Sequence, residues 1–298
     1  MALKYRKMSK GRRLYFTKMQ GCGNDYVYVD ALGTPTSIDL HTIDLSDLSR
    51  KISDRHFGVG SDGLIVIMPS ASADFRMRMF NADGSEAQMC GNGSRCVAKY
   101  LYDKGFTDKL EFTLETLAGV KTLHLLVENG EVVEISVDMG RAYLSRKDVP
   151  AAGDPDSVMK QEPVIIGDEC FKITAVGMGN PHGVIFADKI TDRHIRHYGR
   201  IIETLEIWPE RANIEFVEVK DRRHIKMRVW ERGTGETLAC GTGACASVVA
   251  GFINGLVDDD VEVELPGGKL NVSYDSVSGH VKLRGCAEFV AEGVCYLD

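Results

Sequence analysis

A phrase of four residues occurs twice in this chain, as Cys90-Gly91-Asn92-Gly93 and, 150 positions later, as Cys240-Gly241-Thr242-Gly243. At the same offset Met77-Arg78 overlies Met227-Arg228, and Glu86 overlies Glu236. Six of the seventeen positions from 77 to 93 match those from 227 to 243, where average residue usage gives roughly one by chance. A shorter echo joins Gly23-Asn24 to Gly179-Asn180. The chain therefore folds as two related halves, each delivering one cysteine into a glycine-rich turn, and its 298 residues are enough for two cores.

Runs rich in β-formers predict strands at 14–19, 26–29, 64–68 and 75–80, then at 110–114, 120–127 and 132–137, with Asn129-Gly130 a hairpin signal. Helices are expected at 44–55, capped by Asp44, and at 93–104, ending before Gly105. The second half repeats the plan: strands at 171–176, 184–186, 213–219 and 225–230, a helical stretch at 190–205, a helix at 243–254 and three closing strands. The helix at 243–254 is apolar on nearly every side, so it belongs in a core. Residues 150–163 are polar and punctuated by Pro and Gly, the pattern of an exposed loop near a domain boundary. The fold class is α+β: two pseudo-symmetric halves, each a curved, mostly antiparallel sheet wrapped around a central helix, with the active site between them. One half is residues 1–138, joined by a C-terminal strand at 286–298; the other is residues 139–285.

Each cysteine stands where a glycine-punctuated turn opens a helix. A helix N-terminus offers unpaired N–H groups and a partial positive charge. The thiol pKa is expected to fall there, making a thiolate available near neutral pH, and the same N–H groups hold a carboxylate. Two such turns facing each other pin one carboxylate between them, with a sulfur on either side of the adjacent carbon. That arrangement suits racemisation: one thiolate removes the α-proton and the opposite thiol returns one, while the helix ends stabilise the developing charge.

Composition removes several other classes. A net charge of −7 disfavours nucleic acid and anionic membrane as partners, and the apolar stretch at 244–257 is too short to span a bilayer. Eight cysteines in a chain of this size, with no secretory signal, indicate free thiols in a reducing cytoplasm. The basic residues at 4–13 are read as a disordered leader or an alternative start before Met8. Gly58-Val59-Gly60-Ser61-Asp62-Gly63 is followed by a strand rather than a helix, so it is not a dinucleotide fingerprint. Cys90/Cys96 and Cys240/Cys245 have no zinc-knuckle spacing, and no metal or other cofactor is expected.

The chain resembles the diaminopimelate epimerase family, whose members work without pyridoxal phosphate. Five ordered motifs carry the resemblance: 23–26 (GNDY), 57–63 (FGVGSDG), 80–93 (FNADGSEAQMCGNG), 179–182 (GNPH) and 230–243 (WERGTGETLACGTG). It runs from Met19 to Val257 and weakly to the end. It implies interconversion of LL-2,6- and meso-diaminopimelate, on the route to lysine and peptidoglycan, with Cys240 as proton acceptor and Cys90 as proton donor in the LL-to-meso direction. It implies that His182 and Glu231 tune the thiols. It places Asn24, Asn81, Gly91, Asn92, Asn180, Asn213, Glu231, Arg232, Gly241 and Thr242 around the substrate. A homodimer is a further implication. Some members carry a binding glutamine where this chain has Gly63.

Two alternatives stay open at this level. One is a racemase of another amino acid on the same fold; Asn81, Asn213 and Arg232, able to anchor a second zwitterionic end, argue against it. The other is a thiol–disulfide redox protein using Cys90 and Cys240, and a disulfide between them on oxidation is a related expectation. Glu86, Glu236, Arg78 and Arg228 are assigned to structural ion pairs, and the remaining six cysteines to packing.

Overall fold

The computed structural model describes residues 12–33 and 39–297; of the basic leader, residues 1–11 lie outside that range. The first half contains β1 (Arg12–Gly21), β2 (Asn24–Asp30), α1 (Leu45–Ser53), β3 (Gly63–Met68), β4 (Phe75–Asn81), β5 (Glu86–Ala87), α2 (Gly91–Asp103), β6 (Glu111–Thr116), β7 (Gly119–Glu128) and β8 (Glu131–Arg141). Then come β9 (Glu162–Ile166), β10 (Glu169–Gly177), β11 (Pro181–Phe186), a π-helical turn (His194–Gly199) running into α3 (Arg200–Glu203), β12 (Asn213–Asp221), β13 (His224–Glu231) and β14 (Gly235–Glu236). Helix α4 (Gly241–Ile253) and strands β15 (Asp260–Leu265), β16 (Gly268–Tyr274), β17 (His280–Gly285) and β18 (Glu288–Leu297) complete the chain.

Strand directions repeat in full. From β1 through β2, β3, β4, β6 and β7 to β8 the pairings run antiparallel, parallel, antiparallel, parallel, antiparallel, antiparallel. From β10 through β11, β12, β13, β15 and β16 to β17 they run in the same order. An antiparallel seam between β8 and β17 joins the two sheets. The chain crosses this seam twice, reciprocally. After β8 it lays β9 on the edge of the second sheet, beside β10. After β17 it lays β18 on the edge of the first, beside β1.

The two faces of each central strand meet different layers, which is why β3 is apolar throughout and residues 213–218 of β12 are buried on both faces. Ile65 and Ile67 of β3 face the core around α2, while Leu64 and Val66 face α1. At the same offset of 150, Val217 of β12 joins the core around α4, while Ile214 and Phe216 face the π-turn and α3. Leu283 of β17, fully buried, lies where both helices begin: a Cβ on Gly91 would stand 3.1 Å from its Cδ2, and one on Gly241 3.2 Å. A core leucine of this kind contributes about 2–5 kcal/mol.

Several expectations need correcting. Both central helices start at the residue after the cysteine, so Cys90 and Cys240 are themselves the N-caps, with φ of −133° and −123°. Four strands close the chain, not three, and β9 occupies the end of the segment read as loop. That segment is not uniformly exposed: Ala151 and Met159 are buried, and the buried Arg146 pairs with Glu162. The stretch at 190–205 is interrupted rather than one α-helix. Its wide turn stacks His194 on Phe216 (ring centroids 5.3 Å apart) and sets Tyr198 against Phe171. Its last residue is glycine because a Cβ on Gly199 would stand 2.8 Å from Cβ of Trp230.

Candidate active site

The β4–β5 and β13–β14 turns deliver the two cysteines to equivalent places. Arg78 forks onto Glu86 (2.7 and 2.9 Å) and Arg228 reaches Glu236 (3.0 Å), so the duplicated acid–base pairs brace those turns, as expected. The Cys90 thiol accepts the N–H of Gly93 at 3.4 Å, and the Cys240 thiol accepts that of Gly243 at 3.3 Å. Asn92, at the start of α2, lies 3.9 Å (Oδ1) from the place a Cβ on Gly241 would take. The two helix N-termini therefore meet across Leu283.

Cys90 donates to Oδ1 of Asn24 (3.4 Å), whose amide donates in turn to Asp62 (2.9 Å). Around Cys240 the network is longer. Its sulfur lies 3.5 Å from the Thr242 hydroxyl, which accepts from Asn180 at 3.5 Å. Oδ1 of Asn180 lies 2.9 Å from Nε2 of His182, and Nδ1 of His182 lies 2.7 Å from Glu215. His182 and Glu215 have no exposed surface. Glu231 adjoins both halves of the site: its charge raises the pKa of Cys90 and of Cys240 alike, and its carboxylate accepts from Thr237.

The substrate-end residues divide. The Asn213 amide is buried and already donates to the Pro181 carbonyl (3.1 Å) while accepting the N–H of Arg232 (2.9 Å), so it fixes the Arg232 backbone. The Arg232 guanidinium is exposed and bonded to the Glu210 carbonyl (3.1 Å). Asn81 bonds Ser85 at 3.0 Å, and among the described residues no hydrogen bond links it to either thiol. Glycine at 63 is required: a Cβ would stand 2.1 Å from the Phe80 carbonyl oxygen and 2.7 Å from the Tyr26 ring.

The expectation of lowered thiol pKa values is overturned. Burial pushes the Cys90 thiol up, against the opposing pull of the Gly93 N–H and Arg95. Burial pushes Cys240 well above its ordinary value, with Glu231 and Glu215 adding to it. Burial also raises the Glu231 carboxyl, and the Thr237 hydroxyl only partly offsets this. Helix ends favour thiolates, but here desolvation is the larger effect. The two thiols, Cys240 buried and Cys90 partly so, keep their protons until a ligand or base changes their surroundings.

Glu215 was not anticipated from the sequence. The signal was there: Glu215 is an acid set among Ile214, Phe216 and Val217, two residues from Asn213 and so on the same face. A cavity of about 750 Å³ lies elsewhere, beside α1 and β18, and none of the anticipated site residues lines it.

Comparisons with known sequences agree on one family. The family model described as diaminopimelate epimerase matches residues 16–145 and 174–290. A diaminopimelate epimerase of Desulfovibrio desulfuricans is 50% identical over 289 residues, 95% of this chain and 99% of its own length. One from Methanococcus maripaludis is 46% identical over 278 residues, covering 93% and 98%. Among solved structures, a PhzF-family phenazine biosynthesis protein of Bacillus anthracis superposes with a TM-score of 0.68 at 20% identity, over 97% of this chain and 100% of its own. A hydroxyproline epimerase from Agrobacterium vitis does so at 0.67 and 14%, over 97% and 93%. These last two show a shared fold.

Proposed function

The chain belongs to the diaminopimelate epimerase family, and on that premise we propose that Cys90 and Cys240 carry the α-proton of diaminopimelate between them. The protein is an isomerase that epimerises diaminopimelate. The observation supporting this use of the cysteines is that both cap helices whose first residues close on one leucine, with Glu231 acting on both thiols.

In the LL-to-meso direction the Cys240 thiolate takes the α-proton and the Cys90 thiol delivers its own to the opposite face; the reverse reaction swaps them. One proton leaves the substrate and one enters, so nothing else is consumed. The first-turn N–H groups at Gly91, Asn92, Gly241 and Thr242 hold the carboxylate next to the reacting carbon, where negative charge develops. Asn24 and Asn180 orient the thiols' surroundings, and His182 and Glu231 set their protonation. Asn81, Asn213 and Arg232 serve the distal end, Arg232 as the cation for the second carboxylate. Burial keeps water from the carbanion-like transition state. No cofactor enters any step.

The proposal extends to a homodimer acting in the cytoplasm on small molecules of lysine and peptidoglycan precursor synthesis. The need for two reduced thiols supports a reducing compartment, and exposed Phe289 and Val290 on the edge strand β18 are compatible with self-association. We divide the chain into residues 1–138 with 286–298, and residues 139–285, on the repeated strand order.

In heavy water the enzyme is expected to introduce deuterium at the α-carbon of diaminopimelate. Cys90→Ala and Cys240→Ala each reduce complete epimerisation by at least about a thousandfold, the scale of losing an essential acid–base group, with circular dichroism unchanged. Near-normal turnover in either variant would refute the paired mechanism. A panel of amino acids resolved by chiral chromatography tests the substrate, and preference for a monocarboxylic amino acid would displace diaminopimelate.

A further inference from the structure

Arg95 is the largest of the fully buried side chains, and among the described residues no carboxylate pairs with it. Its guanidinium sits where two Gly-Cys steps converge, at the ends of β1 and β17. A Cβ on Gly21 would stand 3.2 Å from Nη2, and one on Gly285 3.2 Å from Nε. Nε donates to the Cys286 carbonyl (3.2 Å) and Nη2 to Oδ1 of Asn92 (2.8 Å), while Nη1 has no partner. Burying a cation without a counter-charge is costly. Glycines at two strand ends make room for this one, one turn of helix beyond the Cys90 cap.

From this geometry we infer that Arg95 is a positioning residue for the epimerisation: it fixes the Asn92 side chain and is the built-in positive charge that makes Cys90, rather than Cys240, the first thiol of the pair to give up its proton. Its charge is felt by four thiols, those of Cys22, Cys90, Cys96 and Cys245. Of these, Cys90 is the one at a helix N-cap, where it also accepts the N–H of Gly93. On Cys240 the opposite sign acts, from Glu231 and Glu215. Other groups facing Cys90 are Tyr26 and Tyr28 of β2, Cys96 of α2 and Glu231 of β13. Facing Arg95 are Cys22, Cys286 and Cys245. The Glu288 carboxylate near Cys22 is held by Gln20 at 2.8 Å.

The inference rests on the paired-cysteine reading. It adds that the two protonation states of the pair are unequal before substrate arrives, so the empty enzyme is poised for the meso-to-LL direction, in which Cys90 is the base. Substrate-free enzyme is labelled with iodoacetamide from pH 6 to 10, and the modified peptides are quantified by mass spectrometry. In the wild type Cys90 labelling reaches half its limiting rate at a lower pH than Cys240 labelling. Arg95→Met slows Cys90 labelling at neutral pH about tenfold, the scale of one lost neighbouring charge, and moves its midpoint upward. Arg95→Lys keeps the wild-type midpoint, which loss of packing alone would not explain. A Cys90 midpoint unmoved in Arg95→Met overturns the inference. If that variant does not fold, a wild-type midpoint for Cys240 at or below that of Cys90 does so. Failure of the paired-cysteine reading shows separately, as turnover in Cys90→Ala.

Discussion

Ile65 and Glu215 take the same place in the two halves, one beneath each cysteine cap. A Cβ on Gly93 would stand 2.7 Å from Ile65, and one on Gly243 2.7 Å from Glu215. Beside them, Tyr26 and His182 occupy equivalent positions on β2 and β11, each two residues past the Gly-Asn turn. Apolar groups thus underlie Cys90, and an imidazole–carboxylate pair underlies Cys240. Because Glu215 helps to hold the Cys240 proton on, Glu215→Gln should let that thiol ionise at lower pH. The ascending, acidic limb of the LL-to-meso pH–rate profile, which reports Cys240 as the base, then moves to lower pH; a limb that stays in place means the charge is not felt. Gly63→Gln tests the other departure within the site. With the Phe80 carbonyl 2.1 Å from any Cβ, it should cost about 1–3 kcal/mol, as overpacking does, read as a lower denaturant midpoint. A variant as stable as wild type would show that the strand shifts freely. Cys90, Cys240, Asn24, Asn81, Asn92, Asn180 and His182 could be picked out as candidates because each lies in a short phrase whose chemistry is local. Glu215 and Arg95 were not, because their roles come from what folds against them.

Strand β18 illustrates what periodicity misses. Its exposed half lacks alternation, and its partner β1 lies at the other end of the chain, paired from Arg12↔Leu297 to Gln20↔Glu288. The C-terminal strand was expected to join the first half, and its pairing with β1 is what the structure contains; β9, its counterpart on β10, went unnoticed inside a polar segment. Local signals located the central strands and helices because those are buried on both faces, and they failed at the edges, where one face is wet. Truncation after Ala287 leaves the hydrogen-bonding edge of β1 open and uncovers Leu14, which is wholly buried. Amide exchange along β1 should accelerate and the truncated protein should aggregate on warming, while amides of α4 and β12 keep their protection. If β1 remains as protected as in the full chain, the strand exchange does not hold the first half together.

At the scale of the whole molecule, one apolar core runs through both halves, with α2 and α4 in contact at its centre. The duplication announced two helices and two sheets; it could not announce that their cores fuse, since that depends on β8 meeting β17 across the seam. Two thiols at the middle of this core, Cys96 and Cys245, are wholly buried, and burial pushes each from an ordinary 9.0 up to about 12. The consequence for stability follows from proton linkage. Below pH 9 both thiols are protonated whether the chain is folded or not, and their contribution is fully present. Above it the unfolded chain releases these protons while the folded chain retains them, so unfolding is increasingly favoured until the folded thiols ionise near 12. The melting temperature should therefore fall steadily from pH 9 upward. Replacing both residues with alanine should lower it at every pH, because each change leaves a cavity, yet make its decline with pH shallower. Thermal melts of the two proteins between pH 8 and 10.5 decide the matter: parallel curves would mean that these thiols ionise as readily folded as unfolded, and that the fused core is open to water at its centre.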